Sequence, residues 1–339
     1  MKLVKTVDAE GHILCHDLTR IVKDVSKGVA FKKGHIVTKE DIPILLNMGK
    51  EHLYIWENDD TVFHENEAAD ILATMCGQEH MRWSEVKEGK IDIYTDINGY
   101  FMSDTTRLTA INKVDEIMIA TRHSGTPVRK GEKLAGTRII PLVISKEKLL
   151  EVQATTGREP LLKVIPYQKI KVGIITTGNE VFYGRITDTF APVIKEKLAE
   201  YDVEVLTHKI VSDDPELIKT SIQDVMNEGA EMVICTGGMS VDPDDRTPLA
   251  IKSTGATIIS YGAPVLPGAM FLMAYTAEGI PIMGLPGCVM YSKRTIFDIV
   301  LPRVLAGIVI SKEWLASLGN GGLCLDCDNC TYPNCGFGK

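Results

Sequence analysis
Two loops carry most of the residues in this chain that could do chemistry. Residues 171–190 read KVGIITTGNEVFYGRITDTF, and residues 231–248 read EMVICTGGMSVDPDDRTP. The first sets Gly178 and Gly184 beside Glu180 and Asp188. The second sets Gly237 and Gly238 ahead of Asp242, Asp244 and Asp245. Glycine lets a backbone N–H approach a phosphate closely, and carboxylates can hold the Mg²⁺ that phosphate brings with it. The combination predicts a site for a phosphorylated ligand. Each loop follows an apolar, β-branched run, 172–176 and 232–235, of the kind that forms a buried strand. In an open parallel sheet, ligands bind in the crevice beyond the carboxyl ends of the strands, where both loops would lie.

A second chemistry sits at the far end. Cys324, Cys327, Cys330 and Cys335 form a C-x₂-C-x₂-C-x₄-C array, while Cys15, Cys76, Cys235 and Cys288 are scattered. In a reducing compartment such a cluster points to metal rather than to disulfides. Zinc favours two separated C-x₂-C knuckles, whereas three cysteines at successive spacings of three are closer to the bacterial four-iron run. Gly336 stands where that run has proline. The reading is one [4Fe–4S] cluster, with Zn²⁺ as the alternative, on a tail joined through a flexible hinge at residues 319–322. Cys288 reads as a buried spacer rather than as a thiol activated at a helix N-terminus. The histidines show no metal-ligand spacing, and His12, His16 and His123 receive no role.

Composition narrows the field. At 339 residues the chain can hold two or three domains with substantial cores. A net charge of −8 and a pI of about 5.6 argue against general nucleic-acid binding, which needs a basic face. No apolar leader is visible at the start. The apolar stretch 265–291 is interrupted by Pro267, Glu278, Pro281 and Pro286, so no membrane span is expected there. A cytoplasmic protein is the expectation.

The elements that must position these residues follow from periodicity. Residues 1–165 read as an accessory mixed β/α region, mostly β. It has a helix over 38–49 with Thr38 as N-cap, a second over Glu65–Cys76, and strands at 91–94 and 100–102 joined by a turn at Asn98-Gly99. A helical stretch at 106–114 and strands at 117–120 and 136–144 lead to a polar boundary at 155–160. From 166 to 310 strands alternate with helices, the mark of a parallel α/β sheet. Helices are expected over 189–201, after 212 with Asp213 and Asp214 at its start, and over 247–253. Strands are expected at 203–206, 256–260, 271–275 and 280–283. A long helix should begin at 285–288 and run to Leu305, with Gly287 facing an anion. Residues 311–339 form the Cys-rich metal-binding tail.

Taken in order, these pieces carry a resemblance. TTGNE followed by G-x-x-x-D-T, DDP before a helix, TGGMSV with a downstream Asp, PG before a strand and GLPG at a helix start together resemble the molybdopterin-binding domain of molybdenum-cofactor biosynthesis proteins, over residues 171–307. The leading part is similar to a shortened accessory region of the molybdenumtransferase branch. The resemblance implies a three-layer α/β/α sandwich with a mainly parallel sheet, binding molybdopterin or its adenylylated form with Mg²⁺, and a homodimer. It implies Gly178, Gly237, Gly238, Ser240, Gly268 and Gly287 as ligand-binding residues, and Glu180, Asp188 and Asp245 as the catalytic or metal-holding acids.

The sequence departs from that family at Leu266 and Ala269, where lysines usually flank the PG pair, at Cys288-Val289 in place of Asn-Pro, and at Asp242 in place of glycine. Each lost cation removes charge-assisted hydrogen bonds worth roughly 1.5–3 kcal/mol. DPDDRT also resembles the PDDxT loop of competence-damage-type proteins, which hydrolyse the pyrophosphate of ADP-ribose-like nucleotides. There Asp242, Asp244 and Asp245 would surround a metal and water would be the nucleophile. Three functions therefore stand side by side: molybdate insertion into adenylylated molybdopterin, nucleotide pyrophosphatase activity, and non-catalytic carriage of a pterin to a molybdoenzyme client.

Overall fold
A computed structural model describes residues 1–22, 26–55, 59–157, 159–240 and 245–339. Asp242 and Asp244 lie outside the described residues. The chain divides into two compact units. One comprises Met1–Asp96, Ser103–Arg122 and Gly131–Lys163; the other comprises Ile97–Met102, His123–Lys130 and Val164–Lys339.

In the first unit, Lys2–Lys5 pairs antiparallel with His52–Ile55. A small core of Leu14, Leu18, Phe31, Val37, Leu45 and Leu53 forms beside them. The helix in this region runs Asp41–Asn47, so its N-cap is Glu40, without a side-chain cap hydrogen bond, and not the expected Thr38. The Asp41 carboxylate accepts the Thr38 N–H at 2.9 Å and the Thr38 hydroxyl at 2.8 Å. Helix Glu65–Cys76 buries Ala68, Ala69, Leu72 and Met75, the face its period requires. That face packs on strands Lys90–Thr95 and Lys133–Ile139 of a four-stranded sheet. A helix over Lys146–Thr156 has no counterpart in the sequence reading. The Asn98-Gly99 turn does not close a hairpin, because Gly99–Ser103, nearly all of it in the second unit, pairs with Thr126–Val128 there instead of with Lys90–Thr95.

The larger sheet of the second unit has six strands: β1 (Lys171–Thr177), β2 (Glu204–Val211), β3 (Met232–Thr236), β4 (Thr257–Tyr261), β5 (Leu272–Tyr275) and β6 (Pro281–Leu285). Their order is β2-β1-β3-β6-β5-β4. The first four in that order are mutually parallel, while β5 runs antiparallel to β6 and β4 antiparallel to β5. Every residue of β3 and β6 is buried, as continuous apolar runs in a sheet covered on both faces should be. Alternate residues serve the two faces. Ile174 and Ile234 point to a core shared with α1 (Phe190–Ala199), through Ile194 and Leu198. Ile175, Val233 and Cys235 point to a second core, where α2 (Pro215–Asn227) and α3 (Thr247–Ser253) supply Ile222, Val225 and Ile251. The result is an α/β fold with helices on both faces of the sheet. Asp214 caps α2, accepting the N–H groups of Glu216 and Leu217.

The last long helix, α4, spans Ile296–Leu305 and does not begin at Gly287. Residues Gly287–Met290 form only a 3₁₀ turn. The helix starts where the sequence supplies a capping box. The Thr295 hydroxyl accepts the Phe297 N–H at 3.2 Å, and Asp298 accepts the Thr295 N–H at 2.7 Å. Among the described residues, no helix is long and apolar enough to cross a membrane.

The tail is not a frayed appendage on a flexible hinge. Phe337 is 4% exposed and belongs to the main core, and the Tyr332 hydroxyl donates to the Asp298 carbonyl at 2.8 Å. Gly321 and Gly322 are sites of close approach, where a Cβ would strike the carbonyls of Lys339 and Leu318.

Candidate functional site
Register brings the loops together. Thr176 of β1 pairs with Thr236 of β3, which pairs in turn with Leu285 of β6, so three strands end at one level. Beyond them lies a cleft of about 670 Å³. Gly237, Gly238, Ser240 and Asp245 line it from the second loop, Leu266 to Met270 from the turn before β5, and Gly287, Cys288 and Tyr291 from the segment after β6. Gly237, Gly238, Ser240, Asp245, Gly268 and Gly287 are thus gathered at one place.

The second loop requires its glycines. Gly237 and Gly238 have φ of 81° and 54°, and a Cβ on Gly237 would collide with the Thr177 carbonyl. A set of hydroxyls fixes the loop from below. Thr247 lies 3.0 Å from the Thr177 hydroxyl and donates to the Gly237 carbonyl at 2.9 Å. From β4, the Tyr261 hydroxyl contacts the carbonyls of Met239 at 3.0 Å and Ser240 at 3.2 Å. Burial, with the Asp245 charge adding to it, pushes the Tyr261 phenol above its usual range.

Asp188 and Glu180 do not line the cleft, contrary to the expectation that they share it with Asp245. Asp188 Oδ1 accepts the N–H groups of Phe190 at 2.8 Å and Ala191 at 3.3 Å, capping the first turn of α1. Its Oδ2 accepts the Thr176 hydroxyl at 3.0 Å and lies 3.2 Å from His208 Nε2. Burial lowers the His208 pKa, with Asp188 opposing that shift. Glu180 is exposed on the short helix Asn179–Phe182 and folds back over Gly178, whose φ is 144°. Gly178 therefore shapes the first loop rather than the cleft wall. Asp245 is the one carboxylate lining the cleft among the described residues.

The substituted positions are part of the wall. Leu266 and Ala269 both line the cleft, and among its described lining residues there is no Lys, Arg or His. Cys288 also lines it, half-buried, and burial holds its thiol above the ordinary range, which is the opposite of an activated nucleophile. His208, Thr177, Thr247 and Tyr261 escaped the sequence reading. The TT at the end of β1 was visible, but pairing across strands was not.

Cys324, Cys327, Cys330 and Cys335 line a second cavity, of about 570 Å³, together with Tyr291, Lys293 and Arg294. Among the described residues, no three His, Cys, Asp or Glu side chains are grouped so as to hold one metal ion.

Comparison with known proteins bears on the same segment. Residues 173–306 match the family described as "Probable molybdopterin binding domain", and residues 3–57 match one described only as a domain of unknown function. The molybdopterin molybdenumtransferase of Synechococcus elongatus is 28% identical over 167 residues, covering 46% of this chain and 39% of that protein. A Bacillus pumilus protein named "Putative competence-damage inducible protein" is 42% identical over 84 residues, covering 25% of this chain and 20% of its own. The chain therefore spans well under half the length of these curated relatives. The crystal structure of the molybdopterin biosynthesis enzyme MoaB from Thermus thermophilus is 23% identical, with a TM-score of 0.33, covering 41% of this chain and 97% of that one. Residues 173–306 resemble the molybdopterin-binding domain family of molybdenum-cofactor biosynthesis.

Proposed function
We propose that this chain binds molybdopterin or its adenylylated form in the cleft beyond β1, β3 and β6, and that it carries the pterin without inserting molybdate. The observation that carries this reading is the makeup of the wall. Phe190, Met239, Met270 and Tyr291 offer apolar surface for a flat ring system, and the Gly237-Gly238 turn offers close backbone approach for a phosphate. Asp245 would take one position on a Mg²⁺ ion, with phosphate oxygens and water completing the octahedron, since Mg²⁺ commonly uses only one or two carboxylates. The hydrogen bonds of Asp188 to Phe190 and Ala191, and the Glu180 carboxylate lying over Gly178, support a role in shaping the first loop for these two acids.

Molybdate and the departing AMP are both anions. Leu266 and Ala269 supply neither with the charge-assisted hydrogen bonds that lysines at those positions would make, each worth about 1.5–3 kcal/mol. The experiment is incubation with adenylylated molybdopterin, Mg²⁺ and molybdate. Retention of the pterin without AMP release is expected, while AMP release that depends on molybdate would contradict the carrier reading.

The 42% identity to the Bacillus pumilus protein over 84 residues supports a second reading, hydrolysis of an ADP-ribose-type pyrophosphate. In that reading Asp245, with Asp242 and Asp244, would hold a metal that activates water. AMP formed from ADP-ribose in the absence of molybdate would select it.

A further inference from the structure
We propose that Cys324, Cys327, Cys330 and Cys335 hold a four-iron, four-sulfide cluster, and that this cluster pins one wall of the neighbouring cleft. All four side chains line one cavity of about 570 Å³. The backbone around it is fixed by contacts that do not involve the thiols. Tyr332, between the last two cysteines, is anchored on Asp298, and the Arg294 guanidinium stands 5.3 Å from its ring centroid. Lys293 Nζ donates to the Asp328 carbonyl at 3.0 Å, between Cys327 and Cys330. The Gly338 N–H donates to the Gly321 carbonyl at 2.9 Å, closing the segment behind Phe337. A sequence of Asp, Asn, Thr, Pro and Gly has been wrapped around a space and held there from several sides, with Cys327 and Cys330 left exposed.

The cysteine spacing favours a cluster over a single ion. Zinc requires four sulfurs at about 2.3 Å from one point. All four cysteines line the same cavity. A cluster takes each thiolate at a different iron, so it suits sulfurs distributed around a shared space. The successive spacings of three agree with that chemistry. Lys293 and Arg294 at the cavity wall would offset the negative charge of a tetrathiolate cluster. Ligation is an exchange in which each cysteine sulfur bonds one iron of a cluster preformed on small-thiol ligands, and the displaced thiolate leaves with the cysteine's proton as a free thiol. No oxidation state changes.

The link to the cleft is a pair of main-chain hydrogen bonds. The Leu266 N–H donates to the Gly322 carbonyl at 2.8 Å, and the Cys324 N–H donates to the Leu266 carbonyl at 2.8 Å. Leu266 lines the cleft, and Tyr291 lines both cavities. Fixing Cys324 on iron would therefore hold the Leu266 wall in place.

The test uses the full chain, purified anaerobically and supplied with ferrous and ferric iron in equal amounts, sulfide and a small thiol and, in a separate arm, zinc. The expected result is iron and acid-labile sulfide in equal amounts, about four of each per chain, with broad visible absorption and a paramagnetic signal after dithionite reduction. Cys327→Ser and Cys330→Ser, both at exposed positions, should each lose most of that absorption with an unchanged circular dichroism spectrum. Retention of one zinc per chain with no iron would overturn the proposal. So would four thiols that still titrate freely after reconstitution, a result that needs no variant to fold.

Discussion
The hydroxyls of Thr177 and Thr247 lie 3.0 Å apart, joining the end of β1 to the start of α3 beneath the Gly237-Gly238 turn. Both residues are buried, and Thr247 also donates to the Gly237 carbonyl. Thr247→Val keeps the shape but strands the Thr177 hydroxyl and that carbonyl. A loss of about 1–3 kcal/mol in stability is expected, with weaker ligand binding, measured by urea unfolding and by titration. An unchanged unfolding midpoint and unchanged affinity would show that this pair does not hold the loop.

Asp245 and Asp188 should behave differently. Asp245→Asn should weaken Mg²⁺-dependent ligand binding by roughly 10- to 150-fold, the equivalent of one charge-assisted contact, with little change in melting temperature. Asp188→Ala removes the acceptor for the first N–H groups of α1 and should cost about 0.5–2 kcal/mol of stability. Equal losses of binding for the two variants, with stability untouched, would place Asp188 in the ligand site after all.

Lys197 Nζ lies 2.8 Å from Asp298 Oδ1, with side chains 10% and 2% exposed, and it also donates to the Lys293 carbonyl. Lys197→Met leaves a buried carboxylate with fewer partners. Although Arg294 stays within 2.9 Å of it, the loss should approach about 3 kcal/mol. A loss below about 1 kcal/mol in denaturant unfolding would mean that Arg294 and the Thr295 cap suffice.

Burial lowers the pKa of His208 below the ordinary 6.5; Asp188 opposes this shift and Lys195 reinforces it. The unfolded chain therefore takes up a proton more readily than the folded one. The stability involved is complete above pH of about 6.5 and declines as pH falls through that value toward the folded pKa. His16 and His64 are shifted in the same direction, so the contribution of His208 is the difference between wild type and His208→Gln. The variant should lose less stability between neutral and mildly acidic pH. Parallel curves for the two proteins would contradict the assignment.

Where a sequence pattern is local, the fold was legible from it. Helix Glu65–Cys76 and helix Thr247–Ser253 have the limits their sequences predict, because a buried face at helical period and strong end signals are written in consecutive residues. The glycines at 237 and 238 announced the turn, since only glycine tolerates that geometry beside Thr177. What depends on a distant partner was not legible. His208 meets Asp188 only because β2 lies beside β1, and Gly99–Ser103 pairs with Thr126–Val128 rather than with its sequence neighbour. The tail looked flexible because its anchors, Asp298 and Gly321, can be recognised only after the chain has folded back.

A pterin phosphate is proposed to bind in the cleft between Gly237 and Leu266. Isothermal calorimetry of the full chain with molybdopterin, its adenylylated form and ADP-ribose, each with Mg²⁺, tests it most directly. Saturable heat near one ligand per chain is expected for a pterin form, strongly reduced in Asp245→Asn. Heat with ADP-ribose alone, or with none of the three, would contradict it.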